Sequence, residues 1–350
     1  MATVQDAYSG NTMPVTIAEV ARIAGVSKST VSRYLNGLYD HMGADTRDRI
    51  SQVIAELDYR PNALARSLKQ KRTHTVGAIV ANILNPFSTS IIRGIEDTLQ
   101  EAGFNLILCN ADDDPAKERD YVNMLVDKQI DGLIINTTGC NNELIAQVNQ
   151  NTPVVLIDRK VPGIGIDTVT VDSAKGVSQA ITHMVGLGHR NIAMFTLPYD
   201  HVSPRLERVQ AFQAALAEHG LSFREEWLVQ TSIEEAVVLS KLQALLCTKE
   251  NTNKPTCIFC ANNMITMSVI KAIKKIGLTI PQEVGVLGFD DWDWAQLIDP
   301  PVTVVAQPVY DMGNKAASLL IKRLKSSRSQ KKPITISFEP QLVRRKSCGE

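Results

Sequence analysis

No run of about twenty consecutive apolar residues, the length a helix needs to cross a bilayer, occurs in the 350 residues of the chain. Its start also lacks the basic segment and apolar stretch of an export signal. A cytoplasmic protein without membrane partners is therefore expected. Cysteine is scarce: Cys109, Cys140, Cys247, Cys257, Cys260 and Cys348 follow no framework spacing. Cys257 and Cys260 form a C-x-x-C. In the apolar strand TCIFC, however, residues three apart face opposite sides, and no second pair or histidine cluster lies nearby, so no metal is expected. Gly163-Ile164-Gly165 lacks the third glycine and the strand-to-helix setting of a dinucleotide fingerprint. His183, His189 and His201 have no evident nucleophile partner. Neither catalytic residues nor a cofactor are expected, and His189 in LGHRNI is read as closing the turn before a strand.

An excess of one charge is missing too, with 37 Lys+Arg against 37 Asp+Glu. The balance is uneven along the chain. Residues 1–75 carry a surplus of basic side chains, and Arg60 to Arg72 contains no acid, as a phosphate-facing stripe or a solvated linker would. The 44% apolar content and the length allow two or three domains with real cores.

What is present starts with TIAEVARIAGVSKSTVSRYLN, Thr16 to Asn36. Thr16 and Glu19 have the spacing of a capping box, and Ile17, Val20, Ala21 and Ala24 give a first helix one apolar side. Gly25 supplies the permissive backbone of a sharp turn. Ser27 then caps a second helix whose Val31 and Leu35 point inward while Lys28, Ser29, Thr30, Ser32 and Arg33 stay outside. Short hydroxyls and cations on such a helix suit the major groove of DNA. A third helix, capped by Asp45 and carrying Ile50, Val53, Ile54 and Leu57 on one face, completes a small core. Beyond it, Pro61 ends a helix, Asn62 can cap another, and residues 63–69 offer good helix formers for only two turns. A helix that short is marginal alone, so its order is conditional.

From Thr75 the pattern becomes strand, helix, strand. Strands are predicted from Val76, Phe104, Asp131 and Pro153, with helices beginning near Phe87, Pro115 and Asn142. A second series contributes strands from Asn191, Trp227, Thr256 and Val284, with helices after Arg205 and from Met264 to Ile276. Such alternation argues for parallel sheets covered on both faces.

Three ordered motifs now stand together: the helix-turn-helix segment, ELDYRPNALARSLK, and a sensor-like remainder containing VLGFDD and VAQP. With them the chain resembles the LacI family of bacterial transcription regulators along essentially its whole length after Met13. The resemblance implies an all-α headpiece at 14–60, a hinge helix or linker at 61–72, and an α/β two-lobed periplasmic-binding-protein-like sensor at 73–350. It places the first lobe at about 73–170 and 304–334, and the second at 171–303 and 335–350. It implies a homodimer on a pseudo-palindromic operator, read by Lys28 and Ser29 with Arg33 farther along. Thr16, Ser27, Thr30, Ser32 and Asn36 join the candidate DNA contacts. It further implies that Leu68 wedges open a minor-groove base step, with Asn62, Ala65 and Lys69 contacting groove or phosphate. The C-terminus LVRRKSCGE has no leucine heptad, which favours a dimer over a tail-built tetramer.

Ligands of open parallel sheets sit beyond the carboxyl ends of strands. Those positions hold Asn82, Asn85, Phe87 and Ser88, then Asp158 and Arg159, then Asn262 and Asp290. Acids, amides and an aromatic suit a polyhydroxylated ligand. The resemblance adds Arg208, in RVQAF, and supports Asp158, Asn262 and Asp290 as effector partners. Arg208 could pair with a carboxylate or span hydroxyls of a neutral sugar, and Arg159, Lys160 and Arg205 tilt the expectation toward a sugar acid such as a ketogluconate or ketodeoxygluconate. Trp292 is a candidate stacking residue, with Trp294 packing on the lobe surface. Departures from the family pattern are Asn263 where Asp is common, Ala211 where Gly is usual, and a slightly longer GLYDHMGADT loop. Repression relieved by ligand is the expected sign. Corepression or activation uses the same parts, and a solute-binding protein would share the two lobes without using residues 16–69.

Overall fold

The computed structural model describes residues 15–40, 42–59, 72–247, 254–325 and 332–349. The chain divides after Thr73 into two compact units. The N-terminal unit has three helices, α1 (Ile17–Ile23), α2 (Lys28–Leu35) and α3 (Ala44–Glu56). The Thr16 hydroxyl accepts the Glu19 amide, and the Ser27 hydroxyl accepts the Thr30 amide at 3.1 Å. Each cap satisfies an amide the helix cannot. Gly25, at φ 65°, makes the turn between α1 and α2. Val20, Ala21, Ala24, Val31, Ile50, Val53 and Tyr59 close one core, with Ile17 and Leu35 packed against it. Asp45 does not cap α3. Gly43 holds that position without a side-chain bond, and Asp45 lies in the first turn, where the helix dipole favours an acid.

The second unit contains two six-stranded sheets. The first has the order β11-β5-β4-β3-β1-β2, built from β1 (Thr75–Val80), β2 (Asn105–Asn110), β3 (Gly132–Ile135), β4 (Val154–Ile157), β5 (Asp167–Val171) and β11 (Thr335–Phe338). The second has the order β12-β10-β9-β8-β6-β7, built from β6 (Ile192–Thr196), β7 (Leu228–Gln230), β8 (Cys257–Cys260), β9 (Gly285–Phe289), β10 (Thr303–Ala306) and β12 (Gln341–Val343). Every pairing is parallel except β10 with β12. Helices cover both faces: α4 (Pro86–Glu101), α5 (Pro115–Asp127), α6 (Asn142–Asn151) and α12 (Val309–Lys325) on the first sheet, and α7 (Ser173–Gly186), α8 (Ser203–Glu218), α9 (Glu235–Leu246) and α10 (Asn263–Ile276) on the second. A short α11 (Asp293–Leu297) follows β9. No described helix is long and apolar enough to cross a membrane.

Burial on both faces accounts for the uninterrupted aliphatic strands. In β8, Cys257 and Phe259 enter one core while Ile258 and Cys260 enter the core on the other face. The strand assignment at two crossings differs from the expected lobe limits. Residues 304–306, expected in the first lobe, belong to β10, which pairs with β9 and β12 of the second. Thr335–Phe338, placed in the second, pairs with β5 of the first over four residues. A short apolar run announces a strand but not its neighbour, which only the sheet edge selects. The chain therefore crosses between lobes after β5, after β10 and between β11 and β12, and the carboxyl ends of both sheets meet at those crossings.

Candidate functional site

In the N-terminal unit, Thr16, Ser27, Lys28, Ser29, Arg33 and Asn36 are exposed, and Thr30 and Ser32 are half-buried. Ser27 Oγ bonds Ser29 Oγ at 2.7 Å and Thr30 Oγ1 at 2.8 Å, so the start of α2 is a preorganised cluster of hydroxyls beside the free Lys28 stem. Asn36 Nδ2 donates to the Ser32 carbonyl at 2.7 Å and closes the far end. Arg47 of α3 lies 5.3 Å over the ring of Tyr39 in the preceding loop. Asn62, Ala65, Leu68 and Lys69 fall outside the described residues.

Between the lobes lies a cavity of about 390 Å³. Asn82, Asn85, Phe87, Ser88, Asp158, Arg159, Arg208, Asn262 and Asp290 all line it, as do Asp113, Asn136, Arg205 and Gln307. Asn136 closes the DGLIIN strand and Gln307 belongs to VAQP; both sit just past a strand end, the signal that found the others. Asp113 follows β2 by three residues and had no such marker. Asn85 and Asn262 cap α4 and α10 through their side-chain oxygens, to Phe87 N at 3.1 Å and Ile265 N at 2.9 Å. Capping fixes both amides at the cavity wall.

Asp158 and Asp290 are the mirror pair of the site. Each follows a central strand with positive φ, 65° and 76°, a conformation uncommon outside glycine and tolerated by Asp. Each amide is held by the adjacent strand, Asp158 N to Val169 O and Asp290 N to Val305 O, both at 2.8 Å. Asn136 Nδ2 reaches Asp158 Oδ2 at 3.4 Å, and Gln307 Nε2 reaches Asp290 Oδ1 at 2.5 Å. Burial raises both carboxyls above the usual aspartate value, against the pull of the Arg208 cation. Arg208 donates to the Ala261 carbonyl at 2.7 Å and lies 3.6 Å over the Phe289 ring. Burial lowers its guanidinium, opposed by Asp290 and Asp158. Arg208 Nε, Arg159 Nε, Asn136 Oδ1 and Gln307 Oε1 are buried without a hydrogen-bond partner. Leaving such atoms unmade is costly, and all four belong to residues that line the cavity.

Trp292 is not among the lining residues. It stands at the cap of α11 and packs against the first lobe's core, the cluster containing Val76, Phe87 and Ile91. Its ring thus bridges the lobes, because the turn after Asp290 carries it past the cavity. Trp294 packs into the second lobe's core. His189 bonds Thr256 Oγ1 at 2.9 Å and the Cys348 carbonyl at 3.0 Å, a structural tie. Among the described residues no group of three or more His, Cys, Asp or Glu is placed to hold a metal.

A family model described as "Bacterial regulatory proteins, lacI family" matches residues 16–62, and one described as "Periplasmic binding proteins and sugar binding domain of LacI family" matches 73–342. The chain belongs to the LacI family. It is a transcription regulator with a helix-turn-helix DNA-binding domain and a sugar-binding-like sensor. Among LacI-family relatives, the HTH-type transcriptional regulator KdgR of Bacillus subtilis is 37% identical over 95% of this chain and 97% of that protein. PtxS of Pseudomonas putida is 36% identical over 95% and 96%. In structure, a transcriptional regulator CelR–cellobiose complex matches with TM-score 0.70 at 27% identity over 95% of this chain and 99% of that one. The lac repressor dimer bound to operator matches in fold, with TM-score 0.84 at 24% identity over 96% and 99%.

Proposed function

We propose that the chain represses a carbohydrate or sugar-acid utilisation operon, bound as a homodimer to a pseudo-palindromic operator, and that a small sugar or sugar acid in the inter-lobe cavity controls operator affinity. The observation that carries the effector half is the buried Asp158–Arg208–Asp290 set with its orphaned neighbours. Carboxylates accept from hydroxyls, the guanidinium donates to them, and Phe87 offers an apolar face. The similar transcriptional regulator CelR forms a complex with cellobiose, and a similar LacI family regulator from Enterococcus faecium holds bound ribose. The DNA half rests on α2, whose exposed Lys28, Ser29 and Arg33 suit base edges and phosphates. A single such helix reads few bases, so a dimer reads an inverted repeat.

Effector binding changes the angle between lobes and, through residues 61–72, the spacing of the two DNA-reading elements. A coupling of about 1 to 3 kcal/mol per site suffices. Selection of duplexes from a randomised pool at near-physiological salt tests the proposal. An enriched inverted repeat, released on adding the effector, is the expected result, and the absence of any enriched motif would overturn it. Within that assay, Leu68→Ala is expected to weaken operator binding while ligand binding persists.

A further inference from the structure

The six charged side chains of the cavity fall into two unequal groups. Around Arg208 stand Asp158 and Asp290, an acid-rich end. Around Asp113 stand Arg159 and Arg205, a base-rich end. Asp113 pairs closely with Arg159, at 2.7 Å, and only loosely with Arg205, at 3.9 Å. Arg159 is further fixed by its bond to the Thr137 carbonyl at 2.8 Å, and Arg205 by one to Pro198 O at 2.8 Å. Both guanidiniums are thus aimed rather than free.

Arg205 occupies the first turn of α8, where the helix dipole disfavours a cation. Burial brings its pKa down to about 10, with Arg159 adding repulsion, so it stays charged at neutral pH at a cost that Asp113 only partly offsets. The dipole, the second arginine and the buried, partnerless Arg159 Nε all favour an additional negative group at this end. Arg159 belongs to the first lobe and Arg205 to the second, so a group held by both spans the cleft.

We propose that the effector is an anionic polyol whose carboxylate is received by Arg159 and Arg205 in competition with Asp113, while its hydroxyls face Asp158, Arg208 and Asp290. Asp113 is then a specificity residue: its carboxylate competes with the anion for the two guanidiniums and sets how much acids are preferred over neutral sugars. This deepens the effector reading above and depends on it.

Isothermal titration of the full-length protein with D-gluconate, its 2-keto derivative and D-glucose separates the two. The wild type is expected to prefer an acid over glucose. Arg205→Gln is expected to reduce acid affinity about tenfold or more with glucose affinity little changed. Asp113→Asn, which keeps the shape and tolerates the left-handed backbone of this position, φ 55°, is expected to tighten acid binding by a similar factor. An acid preference that survives Arg205→Gln, or acid binding weakened by Asp113→Asn in a folded variant, overturns the subsite and leaves the effector reading standing. A wild type that prefers glucose overturns the subsite and leaves the effector reading standing, whereas one that takes up none of the probes overturns both.

Discussion

The two lobes repeat one plan and differ where it matters. Strand order is the same in both sheets, and Asp158 after β4 corresponds to Asp290 after β9, with matching positive φ and matching amide bonds to the neighbouring strand. The helices that follow the first strand of each lobe do not match. In the first lobe α4 presents Asn85, Phe87 and Ser88; in the second, α8 presents Arg205 and Arg208. The duplicated scaffold supplies the acids twice, and one helix of one lobe supplies the buried cation between them. The lobes also pack differently. α4 and α12 touch through Gly94 and Gly313, where a Cβ would collide with the backbone at Tyr310 and Ile91, whereas Gly176 of α7 faces the side chains of Val305 and Pro340.

The largest expected effect tests that packing contrast. Gly94→Ala must push two helix backbones apart and is expected to cost about 3 kcal/mol, while Gly176→Ala, which presses on the side chains of Val305 and Pro340 rather than on backbone, is expected to cost less, about 2 kcal/mol. Denaturant unfolding checks both, and equal costs would break the contrast. Next, Arg208→Ala removes the cation shared by the two acids. It is expected to abolish ligand stabilisation, which for wild type is about 2.7 kcal/mol at ligand one hundred times its dissociation constant; a retained thermal shift would place ligand binding elsewhere.

A third experiment asks whether the mirrored acids are equivalent. Burial raises both folded-state values, so between the unfolded aspartate value of about 3.9 and the raised value the folded protein holds more protons than the unfolded one. Stability of the unliganded protein therefore falls as pH rises through that window, and the loss persists at neutral pH. Asp158→Asn and Asp290→Asn are each expected to flatten this slope while weakening effector binding. A slope that survives both substitutions would assign it to other groups. The smallest effect belongs to the half-exposed ion pair across the cleft, Lys160 Nζ to Glu207 Oε1 at 2.7 Å. Glu207→Gln is expected to change stability by less than about 1 kcal/mol, and a larger change would make this surface contact a determinant of lobe closure.

Legibility in the sequence followed the range of the interactions. The caps at Thr16 and Ser27 span three residues and were readable directly, as were the strand-end positions from Asn82 to Asp290. Asp45, expected as a cap, lies two residues past it, since Gly43 holds the cap position without a side-chain bond. Trp292 was chosen for its chemistry, and its neighbour turned out to be the core of the other lobe. Asp113 went unnoticed because its partners are 46 residues away at Arg159 and on the other lobe at Arg205.

The sequence by itself determined the three-helix headpiece, the two αβ series and the residue types at the strand ends, because capping, periodicity and turn chemistry act within a few residues. The tertiary structure alone decided which sheet takes β10 and β11, which lobe's core each of Trp292 and Trp294 joins, and how three acids and three arginines divide one cavity into an acid-rich and a base-rich end. Those outcomes depend on edge pairing, burial and charge spacing between segments far apart in the chain, which no local pattern encodes.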